Sequence, residues 1–318
     1  MRCASRLSGL LVKLLAVSLV GLAAWFYQAI EPPPPRICGS PNGPLLNPPE
    51  CGSRTAGISP TRKGRPQEKA KHRIVYIHGF DSCKHDVPPL SKELAEELGV
   101  YLVSFDRAGY GESDPNPNRT EKSTALDVEE LADQLGLGPK FYVIGFSMAG
   151  RLPGAASNTL AGVGLITPVT NYWWPGFPAN LSREAYYNQL GADQWALRVA
   201  HYLPWLTYWW NTGDGSRRPT QQGEYESLHR DMIVGFGTWE FDPMEMEDPF
   251  AGGEGAAVHL WQGDDDRLVP VKLQRYVAAR LPWVRYHELP GAGHLFLLGD
   301  GMFDTIVKTL VLGDGEQL

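Results

Sequence analysis

Six short apolar runs recur between residues 72 and 312, separated by loop residues and amphipathic stretches. Residues 74–77, 102–105, 141–146, 162–166, 257–261 and 284–289 hold the β-branched and aromatic residues of buried strands. Residues 90–98, 125–135, 273–281 and 303–312 carry apolar positions three and four apart, which predicts helices with one buried face. Strands that are apolar throughout must be covered on both sides. The alternation therefore predicts an α/β domain, a mostly parallel sheet flanked by helices. From about residue 170 to 250 this pattern gives way to Gly, Pro and Tyr, with seven tryptophans from Trp173 to Trp239. Those rings suit either the core of that segment or the wall of an apolar pocket, with some at a membrane surface.

The front of the chain is organised differently. Residues 14–27 form an apolar run that reaches about twenty residues once Lys13 snorkels. Trp25, Phe26 and Tyr27 close it as an interfacial belt would, which predicts a retained single-pass anchor over residues 1–30. The competing reading is a signal peptide cleaved near Gly21-Leu-Ala23. Arg2 and Arg6 precede the span and Arg36 alone closely follows it, so the body is expected in the lumen or outside. The triplets Asn118-Arg-Thr120 and Asn180-Leu-Ser182 are compatible with that side. Residues 31–71 read as a linker rich in Pro, Gly and basic residues without packed structure, leaving 72–318 as the folded domain.

Charge and cysteine usage narrow the partners. The net charge of −7 divides into +8 over residues 1–73 and −15 over the remainder, and so acidic a body argues against nucleic acid. Cys3, Cys38, Cys51 and Cys83 include no Cys-x-x-Cys pair, so neither structural zinc nor thioredoxin-like chemistry is supported. Cys38 and Cys51 could pair in an oxidising lumen, although free thiols are the simpler reading of a linker. Gly109-Tyr-Gly111 is too short for a dinucleotide fingerprint, and no cofactor or metal is expected.

The chemistry concentrates at three loops. Residues 141–146 end at Ser147, with Gly145 two before and Ala149 two after, and Gly150 next. A serine on a sharp strand-to-helix turn needs such nearly side-chain-free neighbours. A helix-capping serine would share part of this pattern, so residues farther along the chain must separate the two. There, Gly263-Asp264-Asp265-Asp266 and Gly291-Ala-Gly293-His294 each come after a strand-like run, giving the chain order Ser, Asp, His. Upstream, residues 74–77 lead into His78-Gly79-Phe80.

Together with Asp106-Arg-Ala-Gly109-Tyr-Gly111-Glu-Ser113, these motifs resemble the α/β-hydrolase superfamily, with the flavour of a plant branch that carries an N-terminal anchor. The likeness covers residues 72–150 and 256–312. It implies a Ser147 nucleophile, a His294 general base, and Asp266 orienting the imidazole. The family pattern Gly-x-x-Asp-x-x-Val-Pro selects Asp266 over Asp264 and Asp265, which become turn residues or carboxylates near the next helix's N-terminus. It also implies backbone donors at Phe80 and Met148 for an oxyanion, and a shortened helical lid at about 170–250. His78 becomes a structural residue, and Asp106 with Arg107 a pair shaping its loop. The expected protein is a membrane-tethered serine hydrolase acting on a hydrophobic ester or related acyl compound; the alternative is an impaired, hydrolase-like small-molecule binder.

Three segments depart from the family pattern. Residues 31–72 lack the strands that should flank residues 102–105, which would leave that strand an exposed apolar edge. Only about fourteen residues separate Ser147 from the next strand, with Pro153 and Gly154 where a long helix should start. Residues 211–223 are loop-like where more lid is expected.

Overall fold

The computed structural model describes residues 2–35, 60–64, 69–150, 159–211, 225–251 and 256–313. Seven strands form one sheet: β1 (Pro60–Gly64), β2 (His72–Ile77), β3 (Val100–Phe105), β4 (Phe141–Phe146), β5 (Leu160–Ile166), β6 (Val258–Gly263) and β7 (Val284–Leu289). Their spatial order is β1-β3-β2-β4-β5-β6-β7, with every pairing parallel except β1 against β3. The strand period of two sorts the core into two layers. Ile74, Leu102, Ile144 and Ile166 meet α2 (Lys92–Leu98) and α9 (Met302–Leu312) on one face. Val75, Val103, Val143 and Leu260 meet α3 (Ser123–Leu135) and α8 (Val271–Arg280) on the other. Glycines in the left-handed region, Gly99 and Gly136, end α2 and α3 and turn the chain back toward the sheet.

The edge of the sheet differs from expectation. β1 runs antiparallel along β3, with Pro60 opposite Phe105 and Gly64 opposite Tyr101. Residues 31–71 are therefore not wholly without structure, and β3 is not an exposed edge. A covering strand needs only backbone N–H and C=O groups, so a polar segment without side-chain alternation can supply one.

Between β5 and β6 the chain leaves the sheet to form α4 (Ala179–Tyr187), α5 (Gly191–Tyr202), α6 (Thr207–Asn211) and α7 (Arg230–Phe236), the last entered through a π-helical turn at Tyr225–His229. This is the expected helical lid. Its tryptophans are not all core: Trp174 is buried, whereas Trp195, Trp205, Trp209 and Trp210 are 42–55 % exposed. A thin layer of short helices has one face on the domain and one outside, so rings on the outer face stay partly exposed even where they meet each other, as Trp195 and Trp210 do. At the N-terminus α1 (Arg2–Ile30) contains one stretch, Leu11–Ile30, long and apolar enough to cross a membrane. The crossover beyond Gly150, the pair Cys38–Cys51, and the loop expected at 211–223 lie outside the described residues, except Asn211, which ends α6; Cys83 is a free thiol.

Candidate active site

Ser147 sits where β4 meets a single 3₁₀ turn, Ser147–Ala149, with a φ of +52°. That conformation is costly for a residue with a Cβ and persists only where the surroundings impose it. Here they do. A Cβ on Gly145 would lie 2.6 Å from the Ala149 carbonyl oxygen, and one on Gly150 would lie 2.7 Å from Pro168 Cβ. The small neighbours are what let the turn close.

The loops after β6 and β7 meet at this serine. His294 Nε2 is 3.0 Å from Ser147 Oγ, and His294 Nδ1 is 2.8 Å from Asp266 Oδ2. Asp266 also accepts from the backbone N–H groups of Leu268 and Val269 at 2.8 and 2.9 Å, and from Gln262 Nε2 at 3.1 Å. Burial works against its ionisation, yet the hydrogen bond with His294 and the two N–H groups hold its pKa below the usual carboxylate value. Its neighbours have different roles. Asp264 accepts from Gly291 N at 2.6 Å, and Asp265 N donates to the Ala292 carbonyl at 3.1 Å. These bonds stitch the aspartate loop to the histidine loop, a role the one-dimensional pattern did not reveal for Asp264. Gly263 permits the approach, since a Cβ there would lie 2.2 Å from the Ala292 oxygen.

Phe80 and Met148 line the cavity of about 170 Å³ that holds Ser147 and His294, and Asp266 stands outside its lining, bonded to His294. Behind Phe80 stands a buried network. His78 is fully buried, accepts from Arg107 N at 3.0 Å through Nε2, and contacts its own neighbour's carbonyl through Nδ1. The Arg107 guanidinium donates to the carbonyls of His78 and Gly79 at 3.0 and 2.8 Å, and both its terminal nitrogens grip Asp231 of α7 at 2.8 and 2.6 Å. Arg119 and the Tyr110 hydroxyl complete the shell around Asp231. Burial alone would raise the pKa of Asp231, but Arg107 and Arg119 outweigh it and hold the carboxylate well below its usual range.

Asp106 and Arg107 are thus not a pair. Asp106 accepts from Lys84 N at 2.8 Å and Glu112 N at 3.1 Å and faces the Lys84 ammonium at 3.6 Å, while Arg107 turns to the lid. Adjacent residues leaving a strand end point to opposite sides, so each finds a different partner. Asp231 was missed in the sequence because nothing local marks one acidic residue of a lid helix as the partner of an arginine more than a hundred residues away.

A family model for the alpha/beta hydrolases matches residues 74–305, most of the chain. The protein belongs to the alpha/beta hydrolase family. Within it, the Arabidopsis thaliana protein named Probable lysophospholipase BODYGUARD 4 is 23 % identical over 269 residues, which is 74 % of this chain and 62 % of the relative. The chain thus spans less than two thirds of that relative's length. Among solved structures, an alpha/beta hydrolase fold protein from Chitinophaga pinensis superposes with a TM-score of 0.56 at 16 % identity, covering 84 % of this chain and 96 % of its own. The esterase RhEst1 from Rhodococcus sp. ECU1013 gives 0.53 at 18 % identity, covering 81 % and 96 %. At such identities these two likenesses establish the hydrolase fold.

Proposed function

We propose that this alpha/beta hydrolase is a serine hydrolase that cleaves an ester or related acyl compound. The observation that carries the reading is the unbroken line from Ser147 Oγ through His294 to a buried Asp266, with separations of 3.0 and 2.8 Å. In this reading Ser147 Oγ attacks the acyl carbon while its proton passes to His294 Nε2. The carbonyl oxygen becomes an oxyanion facing the N–H groups of Phe80 and Met148. Collapse breaks the bond to the leaving group, which takes the proton from His294. Water, deprotonated by His294, then releases the acid and restores the serine. Asp266 keeps the imidazole in the tautomer that presents a bare Nε2 and stabilises the imidazolium. The continuous line favours turnover over a merely binding relative.

The test is covalent labelling by a fluorophosphonate. The full-length protein should label, Ser147→Ala should not, and Asp266→Asn should label more slowly by about 10⁴-fold, the scale of a wrong-tautomer histidine. A folded wild-type protein that never labels would overturn the proposal. We further infer, from Arg2 and Arg6 before the apolar stretch and the sparse charge after it, that α1 anchors the body on the lumenal or outer side of a membrane.

A further inference from the structure

The Gly79–Phe80 peptide lies directly against the nucleophile. A Cβ on Gly79 would fall 3.1 Å from Ser147 Cβ, so a side chain there would crowd the serine. The bond is trans, and a trans peptide is planar with its C=O and N–H pointing opposite ways. Whatever holds the Gly79 oxygen on one side therefore aims the Phe80 N–H on the other. That N–H has no hydrogen-bond partner among the described residues, and Phe80 lines the cavity that holds Ser147.

Two donors hold that oxygen. Burial keeps the His78 ring neutral, with its pKa pushed down to about 3, so it carries one proton. Arg107 N donates to Nε2 at 3.0 Å, which places the proton on Nδ1 and makes Nδ1 the donor to the Gly79 oxygen at 2.9 Å. Arg107 Nη2 donates to the same oxygen at 2.8 Å. A cationic donor at a carbonyl polarises the whole peptide and strengthens its N–H as a donor. The guanidinium is itself fixed, by Nε on the His78 oxygen at 3.0 Å and by both oxygens of Asp231 at 2.8 and 2.6 Å. Neutralising Asp231 does not require this arrangement: Arg119 already binds it at 2.9 Å, and burying a second guanidinium costs desolvation. Neither Arg107 nor Asp231 lines the cavity of Ser147, so any part they take in the reaction passes through the peptide.

We propose that Arg107 is a positioning residue for the transition state, fixing and polarising the Gly79–Phe80 peptide so that the Phe80 N–H meets the oxyanion. Asp231 makes that alignment depend on the lid, because the carboxylate that holds the guanidinium in place belongs to α7. The oxyanion donor is thus set only while α7 is seated on the domain. The assignment rests on the serine-hydrolase reading and adds the means by which the lid governs the same site.

The test pairs turnover of p-nitrophenyl acetate with binding of a trifluoromethyl ketone, whose adduct with Ser147 carries the oxyanion, in the full-length protein. Arg107→Met suits it because Arg119 still neutralises Asp231. This variant should lower kcat by about 10²-fold, the scale of one lost oxyanion donor, with KM within about threefold of the wild type. The inhibition constant of the ketone should rise by the same factor. A variant that merely folds less completely would lower kcat by its active fraction and leave the ketone constant unchanged. Should Arg107→Met lack a cooperative melt, Arg107→Lys carries the test. A single ammonium cannot grip both carbonyls and Asp231, so it should weaken the ketone by about tenfold. Asp231→Asn should do the same if α7 sets the alignment. A folded Arg107 variant that binds the ketone as the wild type does overturns the positioning role alone, and wild-type binding by Asp231→Asn overturns the tie to the lid. A wild-type protein that neither labels with fluorophosphonate nor binds the ketone overturns the serine-hydrolase reading, and the positioning role falls with it.

Discussion

At the level of single residues, Ser147 and the buried histidines stand at opposite ends of what a local pattern can convey. The strained backbone at Ser147 was legible because the demand for small neighbours is written within five residues, Gly145 to Ala149. The state of His78 was not legible, since only burial and its neighbours set it. Burial, helped by Arg107, pushes the His78 pKa down to about 3, and burial pushes His229 down to about 4. Both stay neutral in the folded chain, whereas an unfolded imidazole titrates near 6.5. Below that pH the unfolded state binds more protons, so stability falls with pH, by up to ~1.4 kcal/mol per pH unit for each group, until the folded value is reached. Asp127 works the other way: burial raises its pKa to about 6, so its contribution grows as pH drops from there toward 4. Urea unfolding between pH 7 and 4.5 should therefore show a net loss of stability on acidification, and His229→Gln should flatten it. An unchanged slope in that variant would show that His229 is not held neutral by the fold.

The elements repeat this division between local and distant causes. β4 and β7 match the predicted runs, and the other parallel strands differ from theirs by one or two residues at most ends, because uninterrupted β-branched and aromatic residues are a local signal. β1 was missed for the opposite reason: its pairing uses backbone groups, and Pro60-Thr-Arg-Lys-Gly64 has no strand-like side-chain pattern. The latch between α7 and the loop before Phe80 likewise depends on tertiary approach. Asp231 neutralises two buried guanidinium groups, one of which holds the His78 and Gly79 carbonyls. Removing the carboxylate strands both charges. Asp231→Ala should accordingly lose about 3–5 kcal/mol, the range for breaking a buried pair, read as a lowered midpoint in thermal or urea unfolding. A midpoint within experimental scatter of the wild type would show that solvent reaches Arg107 and Arg119 at little cost.

Across the whole molecule the decisive asymmetry is between a basic front and an acidic body. The apolar stretch Leu11–Ile30 sits between Arg2 and Arg6 on one side and a Pro-rich segment on the other. If the body is lumenal, Asn118 and Asn180, both exposed, are available to glycosylation. Expression in a eukaryotic secretory host should then yield a band that an endoglycosidase shifts, lost when both asparagines are replaced by Gln. Full protease sensitivity of the body from the cytosolic side of sealed microsomes would reverse the orientation. The exposed rings of Trp209 and Trp210 belong to the same question, since α6 lies against α1.

By itself the sequence determined the period of the strands, the parallel α/β class and the three loops that carry Ser147, Asp266 and His294, because each depends on residues close together in the chain. Only the tertiary structure decided that Asp264 ties the aspartate loop to the histidine loop, that Arg107 reaches a lid carboxylate, and that an apolar cavity opens beside the nucleophile. Those outcomes depend on distances between segments more than a hundred residues apart or on the packing of several elements at once. No local pattern encodes such a distance; it is set when the sheet closes and its loops are brought to one edge.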